Sequence, residues 1–278
     1  MVTPRNAAAP SSFSPSSASP AAVTSRISRI AIGLEYDGSR FLGWQTQPGG
    51  GAVQDALEAA LAAIAGTPVG VSAAGRTDRG VHARAQVAHF DTSATRPLSA
   101  WVRGVNAFLP ESVAVLWAHA LSTEFHARYS AVSRTYRYRL LNRPVRPALA
   151  ARTVGWHHAP LDVAAMREAA SALLGEHDFS AFRAADCEAK TPVRTVHSIA
   201  IERAGDEIDF VIRANAFLHH MVRNIVGTLV YVGNGKQPPA WVAEVLTSRD
   251  RAEAAPTFAP EGLYLERVDY DARWGLPQ

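Results

Sequence analysis

A single cysteine, Cys187, rules out any disulfide within the chain. That fits a reducing compartment. No activating partner for the thiol is evident in the sequence, so it reads as a small packed hydrophobe. Lysine is almost missing: Lys190 and Lys236 stand alone, and arginine supplies the rest of the 28 basic residues. Arginine's planar fork suits phosphate, although arginine beside abundant alanine also reflects genomic base composition. No apolar run approaches the ~20 residues needed to span a bilayer. A Rossmann fingerprint, a P-loop and an HExxH spacing are all wanting. The histidine pairs, His157-His158 and His219-His220, are adjacent in sequence. Adjacent residues share no face of a regular helix or strand, so neither pair is read as a metal site.

What is present describes a globular protein. The 278 residues are 47% hydrophobic and 19% charged, with a formal net charge of +3. That is enough chain for one large domain or two small ones. Residues 1–25 (MVTPRNAAAPSSFSPSSASPAAVTS) are Ala, Ser and Pro with almost no large apolar side chains. Such a segment cannot bury enough surface to offset its chain entropy and is expected to be disordered. It lacks the apolar stretch of a secretory signal.

Ordered structure is expected from Ile27. Ile30, Ile32, Leu34 and Tyr36 alternate as a strand. A glycine-rich loop, YDGSRFLGWQTQPGGG, follows; its Trp44 reads as a packing residue. Val53, Leu57, Leu61 and Ile64 repeat at helical spacing and stop at Gly66. Strands are expected over 69–74, 85–90 and 113–118, with a helix capped by Ser99 and carrying Trp101, Val105 and Phe108. That order is β-α-β-β-α-β. The second half repeats it: a strand in RTYRYRLL, a helix capped by Asp162, strands over 196–201 and 208–212, an apolar helix over 217–232, a short helix near Trp241, and a closing strand over 263–268. The expected fold is α+β. It has two split-βαβ (ferredoxin/RRM-like) subdomains, 26–122 and 123–278, with mainly antiparallel sheets flanking a central basic cleft.

Between Arg76 and Arg146 lie eleven arginines against four acids, a local excess of seven positive charges. Phe125, Tyr129, Tyr136 and Tyr138 are interleaved. Cations beside stackable rings suit RNA, while a solvated strand face with scattered arginines fits the same pattern. The stretch AAGRTDRGVHARAQVAHF (73–90) places one carboxylate, Asp78, between Arg76 and Arg79 in a glycine-punctuated turn. It reads either as a structural acid paired with Arg76 or as a catalytic carboxylate held ionised by nearby cations.

That stretch resembles the catalytic motif of the TruA family of tRNA pseudouridine synthases. The resemblance continues in the family's order through YDGSRFLGWQTQ, VQDALEAAL, FHARYSAVSRTYRYRLLN, HDFSAF, CEAKTPVRTV, NAFLHHMVRNIVGTLVYVGNGK and APEGLYLERVDY. One departure is Glu188-Ala189, where relatives usually read Gln-Ser. The resemblance implies a cofactor-independent isomerase that converts uridine to pseudouridine in the tRNA anticodon stem-loop, at tRNA positions 38 to 40. It implies a cytoplasmic homodimer with tRNA lying across both subunits. Carried over by position, Asp78 is the essential aspartate. Arg76 pairs with it and helps displace the target base. Tyr136 stacks on the target uracil. Arg223 is a second basic partner of the aspartate, and Leu263 packs against the base.

Overall fold

The computed structural model describes residues 1–3 and 27–277. The expected disordered tail lies almost wholly outside them. The first half runs through β1 (Ser28–Tyr36), α1 (Val53–Ala65), β2 (Val71–Ala73), β3 (His82–Thr92), a π-helical turn (Ala100–Gly104) and β4 (Val113–Leu121). Its strands lie in the order β4-β1-β3-β2, every neighbour antiparallel. The second half runs through β5 (Ala131–Asn142), β6 (Gly155–His157), α2 (Val163–Ala170), β7 (Gly175–Asp178), β8 (Val193–Ala204), β9 (Glu207–Ala214), α3 (Met221–Gly233), α4 (Trp241–Ser248) and β10 (Leu263–Tyr270). Here the order β10-β5-β9-β8 repeats the first half, again antiparallel.

The two sheets are not separate. β10 pairs antiparallel with β5 and parallel with β3, through Tyr264 opposite His82 and Leu265 opposite Ala83. One ten-stranded sheet results. One edge of β3 serves two partners: β2 binds it at Ala88–Phe90, and β10 binds it at His82 and Ala83. Residues 74–81 leave the sheet where that edge changes hands. The motif containing Asp78 therefore sits at the join between the halves.

Local sequence explains most elements. In α1, Val53, Leu57, Ala60 and Leu61 form the buried stripe, and Gly66 ends it in the left-handed region at φ 78°. Asp162 caps α2 by accepting hydrogen bonds from the backbone N–H of Ala164 and Ala165 at 2.8 and 3.1 Å. β1 buries both faces. Ile30, Ile32 and Leu34 take one, while the small Ala31 and Gly33 take the other, where Trp117 lies over Gly33.

Two expectations are corrected, and two strands are added. Ser99 makes no side-chain cap, and the segment after it is a π turn that buries Trp101 and Val105 but leaves Phe108 exposed. The apolar helix begins at Met221 rather than Phe217, because His220 takes φ 62° and breaks the helical path. The strands β6 and β7 had no sequence signal; each is a short segment docked on one neighbour, β5 and β8 respectively.

α3 is buried along almost its whole length. Gly227 sits mid-helix, where a Cβ would come 2.4 Å from the Pro256 carbonyl oxygen. Glycine to alanine inside a helix ordinarily gains up to ~1 kcal/mol. Here the obstacle is backbone, two residues from Phe258, and overpacking of that kind costs about 1–3 kcal/mol. Gly227→Ala is expected to lower the urea midpoint; a raised midpoint would show that the 256–258 segment yields freely.

Candidate active site

Each residue of the 74–78 stretch except Arg76 is fixed through its backbone or side chain by the surrounding core. The Ala74 carbonyl accepts from Arg134 Nη2 at 3.0 Å, and the Gly75 carbonyl accepts from Gln86 Nε2 at 2.7 Å. Thr77 Oγ1 lies 2.8 Å from the Tyr36 hydroxyl, and the Thr77 carbonyl accepts from the Trp44 N–H at 2.9 Å. The Asp78 carbonyl accepts from the Val81 N–H at 3.1 Å and closes the turn. Gly43, at φ 109°, lets the first loop press against this one, since a Cβ there would lie 2.8 Å from the Thr77 oxygen. Trp44 is buried and serves packing, as its sequence context suggests. Arg134 is a buried cation whose hydrogen bonds go to four carbonyls, those of Ala74, Arg128, Ala131 and Asn215.

The Asp78 side chain is 21% exposed and faces the start of α3. Arg223 Nη1 donates to Oδ2 at 3.0 Å, and its Nε donates to the Phe258 carbonyl at 2.8 Å. His219 Nε2 lies 3.1 Å from Oδ1, and His220 Nε2 lies 3.4 Å from Oδ2. Residues from the two halves thus meet on one carboxylate. Tyr136 is buried on β5, with Phe217 edge-on at a ring distance of 5.0 Å. A Cβ on Gly75 would lie 3.7 Å from its hydroxyl, which has no hydrogen bond among the described residues.

Two expected site residues sit differently. Arg76 pairs with Glu188 at 3.2 Å, not with Asp78. Residues two apart across this turn are aimed apart, and three side chains from α3 and its cap already occupy the carboxylate. Leu263 is buried in the core opposite Tyr138 in the β10–β5 register. The arginine surface is also partly neutralised. Arg137 pairs with Asp209, Arg139 with Glu207 and Arg84 with Glu266. Arg79 stays exposed with no ion pair among the described residues.

A family model described as tRNA pseudouridine synthase matches residues 33–130 and 169–271. The chain belongs to the tRNA pseudouridine synthase family. It is 59% identical over 249 residues to tRNA pseudouridine synthase A of Dechloromonas aromatica, covering 90% of this chain and 95% of that one. It is 60% identical over 250 residues to tRNA pseudouridine synthase A of Thiobacillus denitrificans, covering 90% and 96%. This pseudouridine synthase is therefore an isomerase that acts on tRNA. No helix among the described residues is long and apolar enough to cross a membrane.

The electrostatics of the synthase's site fix the protonation states. Burial is the largest influence on the Asp78 carboxyl and opposes its ionisation. The hydrogen bond from His219 and the neighbouring cations outweigh it, so the carboxyl titrates below its ordinary range. The hydrogen bond to Asp78 lifts His219 to about 9. Burial, with the charges of His219 and Arg223 added, holds His220 below its usual value. Near neutral pH the site is a carboxylate, an imidazolium, a neutral imidazole and a guanidinium. Burial also raises the Tyr136 phenol, which stays protonated.

Donor atoms of Asp78, His219 and His220 lie within 4.8 Å of one another, close enough to share a metal ion. A dication there would face the Arg223 guanidinium at the same carboxylate and would have to displace the proton on His219, so the charges present oppose one. The adjacency argument for setting these histidines aside fails at a helix cap. The left-handed turn at His220 brings both rings to one carboxylate, with centroids 4.0 Å apart. Gln86 and Arg134 carried no sequence signal beyond being polar residues in strands.

Proposed function

We propose that Asp78 is the catalytic carboxylate, and that the tRNA uridines isomerised lie in the anticodon stem-loop at positions 38 to 40. The observation that carries this reading is an ionised, largely buried carboxylate held at the join of two half-domains by groups from both. The reaction breaks the bond from uracil N1 to the ribose, turns the ring, and joins C5 to the same ribose carbon. The C5 proton leaves and N1 gains one, so atoms balance without a co-reactant. An ionised carboxylate can serve as nucleophile or base in this sequence. The target base must leave its stack, which costs a few kcal/mol and is met by stacking in the pocket. Tyr136 supplies that surface, with its hydroxyl over Gly75. Arg223 is the counter-ion of Asp78. Arg76 leaves Glu188 to engage the displaced nucleotide, and Leu263 packs against the base. Arg79 contacts phosphate, a contact that weakens with salt.

The homodimer rests on the family resemblance. A cytoplasmic location is the reading that the tRNA substrate supports. The test is to incubate the protein with unmodified tRNA and map pseudouridine by nucleotide. Product is expected at positions 38 to 40 and is expected to vanish when those uridines are replaced by cytidine. Pseudouridine outside the anticodon arm and none within it would overturn the positional reading.

A further inference from the structure

His219 is clasped between two carboxylates. Its Nε2 lies 3.1 Å from Asp78 Oδ1, and its Nδ1 lies 2.9 Å from Asp186 Oδ1. An ionised carboxylate only accepts hydrogen bonds, and a neutral imidazole has a single N–H. Serving both acceptors at once requires the imidazolium. The backbone of His219 is pinned as well: its N–H donates to Cys187 Sγ at 3.4 Å, and its carbonyl accepts from the Ala184 N–H at 3.0 Å. The charged and titratable groups around the ring are Asp78 from the 74–81 loop, Asp186 and Cys187 from the 183–190 segment, and His220 and Arg223 from α3 and its cap.

The two Asp78 oxygens are served unequally. Oδ2 receives Arg223 and approaches His220, whereas the His219 contact lies on Oδ1. Arg223 alone would hold one oxygen and leave the carboxylate free to swing about it. A second, fixed donor on Oδ1 sets the plane in which the reacting oxygen points. Positioning errors of about 1 Å at a reacting group can cost ~10²-fold in rate.

We infer that His219, clasped by Asp186, is a positioning residue for the isomerisation, fixing the orientation of the Asp78 carboxylate. The inference rests on reading Asp78 as the catalytic group. It gives Asp186, a carboxylate at the mouth of the site, a part in the reaction without touching the substrate. It also assigns a use to the left-handed conformation of His220. That conformation is uncommon for a residue with a Cβ, and it turns the chain between the His219 ring and Arg223.

The test reads kcat/KM against pH, which reports groups of the free enzyme. His219 gains its proton affinity from Asp78 and Asp186, so the clasp is complete below pH 8 and is lost as pH rises through about 9. Uridine's own N3–H titrates in the same alkaline range, so the displacement of the limb is decisive rather than its presence. Asp186→Asn keeps a carbonyl acceptor but removes one of the two negative charges that hold the imidazolium, and is expected to move the alkaline limb down by ~0.5–1 pH unit. His219→Gln, a neutral donor of similar reach, is expected to keep activity within ~10-fold at pH 7 and to lose the His219 contribution to the limb. His219→Leu is expected to lose ~10²-fold in kcat with KM nearly unchanged. Wild-type kcat in His219→Leu, or an alkaline limb that neither Asp186→Asn nor His219→Gln moves, overturns the inference. Asp186 is 75% exposed, so Asp186→Asn carries the test if the leucine variant does not fold. An active Asp78→Asn would instead sink the reading of Asp78 itself. An inactive Asp78→Asn beside a fully active His219→Leu would sink only the inference about His219.

Discussion

Asp78→Asn is expected to lower pseudouridine formation by ~10⁴-fold or more, with tRNA binding changed by less than about tenfold. The amide keeps the volume and one carbonyl acceptor but cannot be ionised. Its NH₂ would also meet Arg223 or His219, both of which are donors. Release of tritium from uridine C5 of tRNA measures the rate, and filter binding measures the affinity. Retention of more than a tenth of the wild-type rate would remove Asp78 from the chemistry.

The same substitution has a stability signature with a defined sign. The depressed Asp78 pKa contributes stability that is present above the ordinary carboxylate value and lost as pH falls through the folded one. The raised His219 pKa contributes stability that is complete below the ordinary histidine value and lost as pH rises through about 9. The difference in thermal midpoint between Asp78→Asn and wild type should therefore be largest near pH 5–6 and shrink toward pH 10. A difference that grows with alkalinity would contradict the pairing.

Arg223→Met is the second large effect. The guanidinium spans two acceptors, the Asp78 carboxylate and the Phe258 carbonyl, and it is only 13% exposed. Removing it leaves a carboxylate with less compensation and a carbonyl without its donor. Breaking such a pair is expected to cost about 2–3 kcal/mol in stability. The rate should fall by ~10²–10³-fold, and the acid limb of the pH profile should move up as the Asp78 pKa rises. Lysine should not rescue it. One ammonium on a flexible stem cannot hold both acceptors in the geometry of a planar fork. Arg223→Lys is expected to recover less than a tenth of the lost rate, and wild-type activity in that variant would mean that charge alone matters.

The sequence made the scaffold readable where physics is local. The Val53–Leu57–Leu61 stripe closed by Gly66, the Asp162 cap, and the β8–β9 hairpin with Gly205 at φ 60° each depend on residues within a few positions. Asp78 and Arg223 emerged as a pair because of the family pattern, and the 3.0 Å contact joins residues 145 apart in sequence. The missed features are long-range or conformational. Arg137 and Arg139 looked like a free basic face. Their acids, Asp209 and Glu207, lie diagonally across the β5–β9 register, which a sequence does not display. Arg76 looked like the partner of Asp78, yet its acid lies 112 positions downstream. His219 and His220 were set aside by a rule for regular helices and strands, and they flank a left-handed turn at a helix cap, to which that rule does not apply.

β10 follows the nine other described strands in the chain yet lies near the middle of the sheet, between β3 and β5. During synthesis, the facing edges of those two strands must wait for everything between Asn142 and Leu263 to be made. At ordinary ribosomal speeds that is on the order of ten seconds. Until then the nascent chain exposes two unpaired backbone edges, each able to accept a strand from another molecule. The strand that welds the halves is thus also the last of the ten described strands to be made.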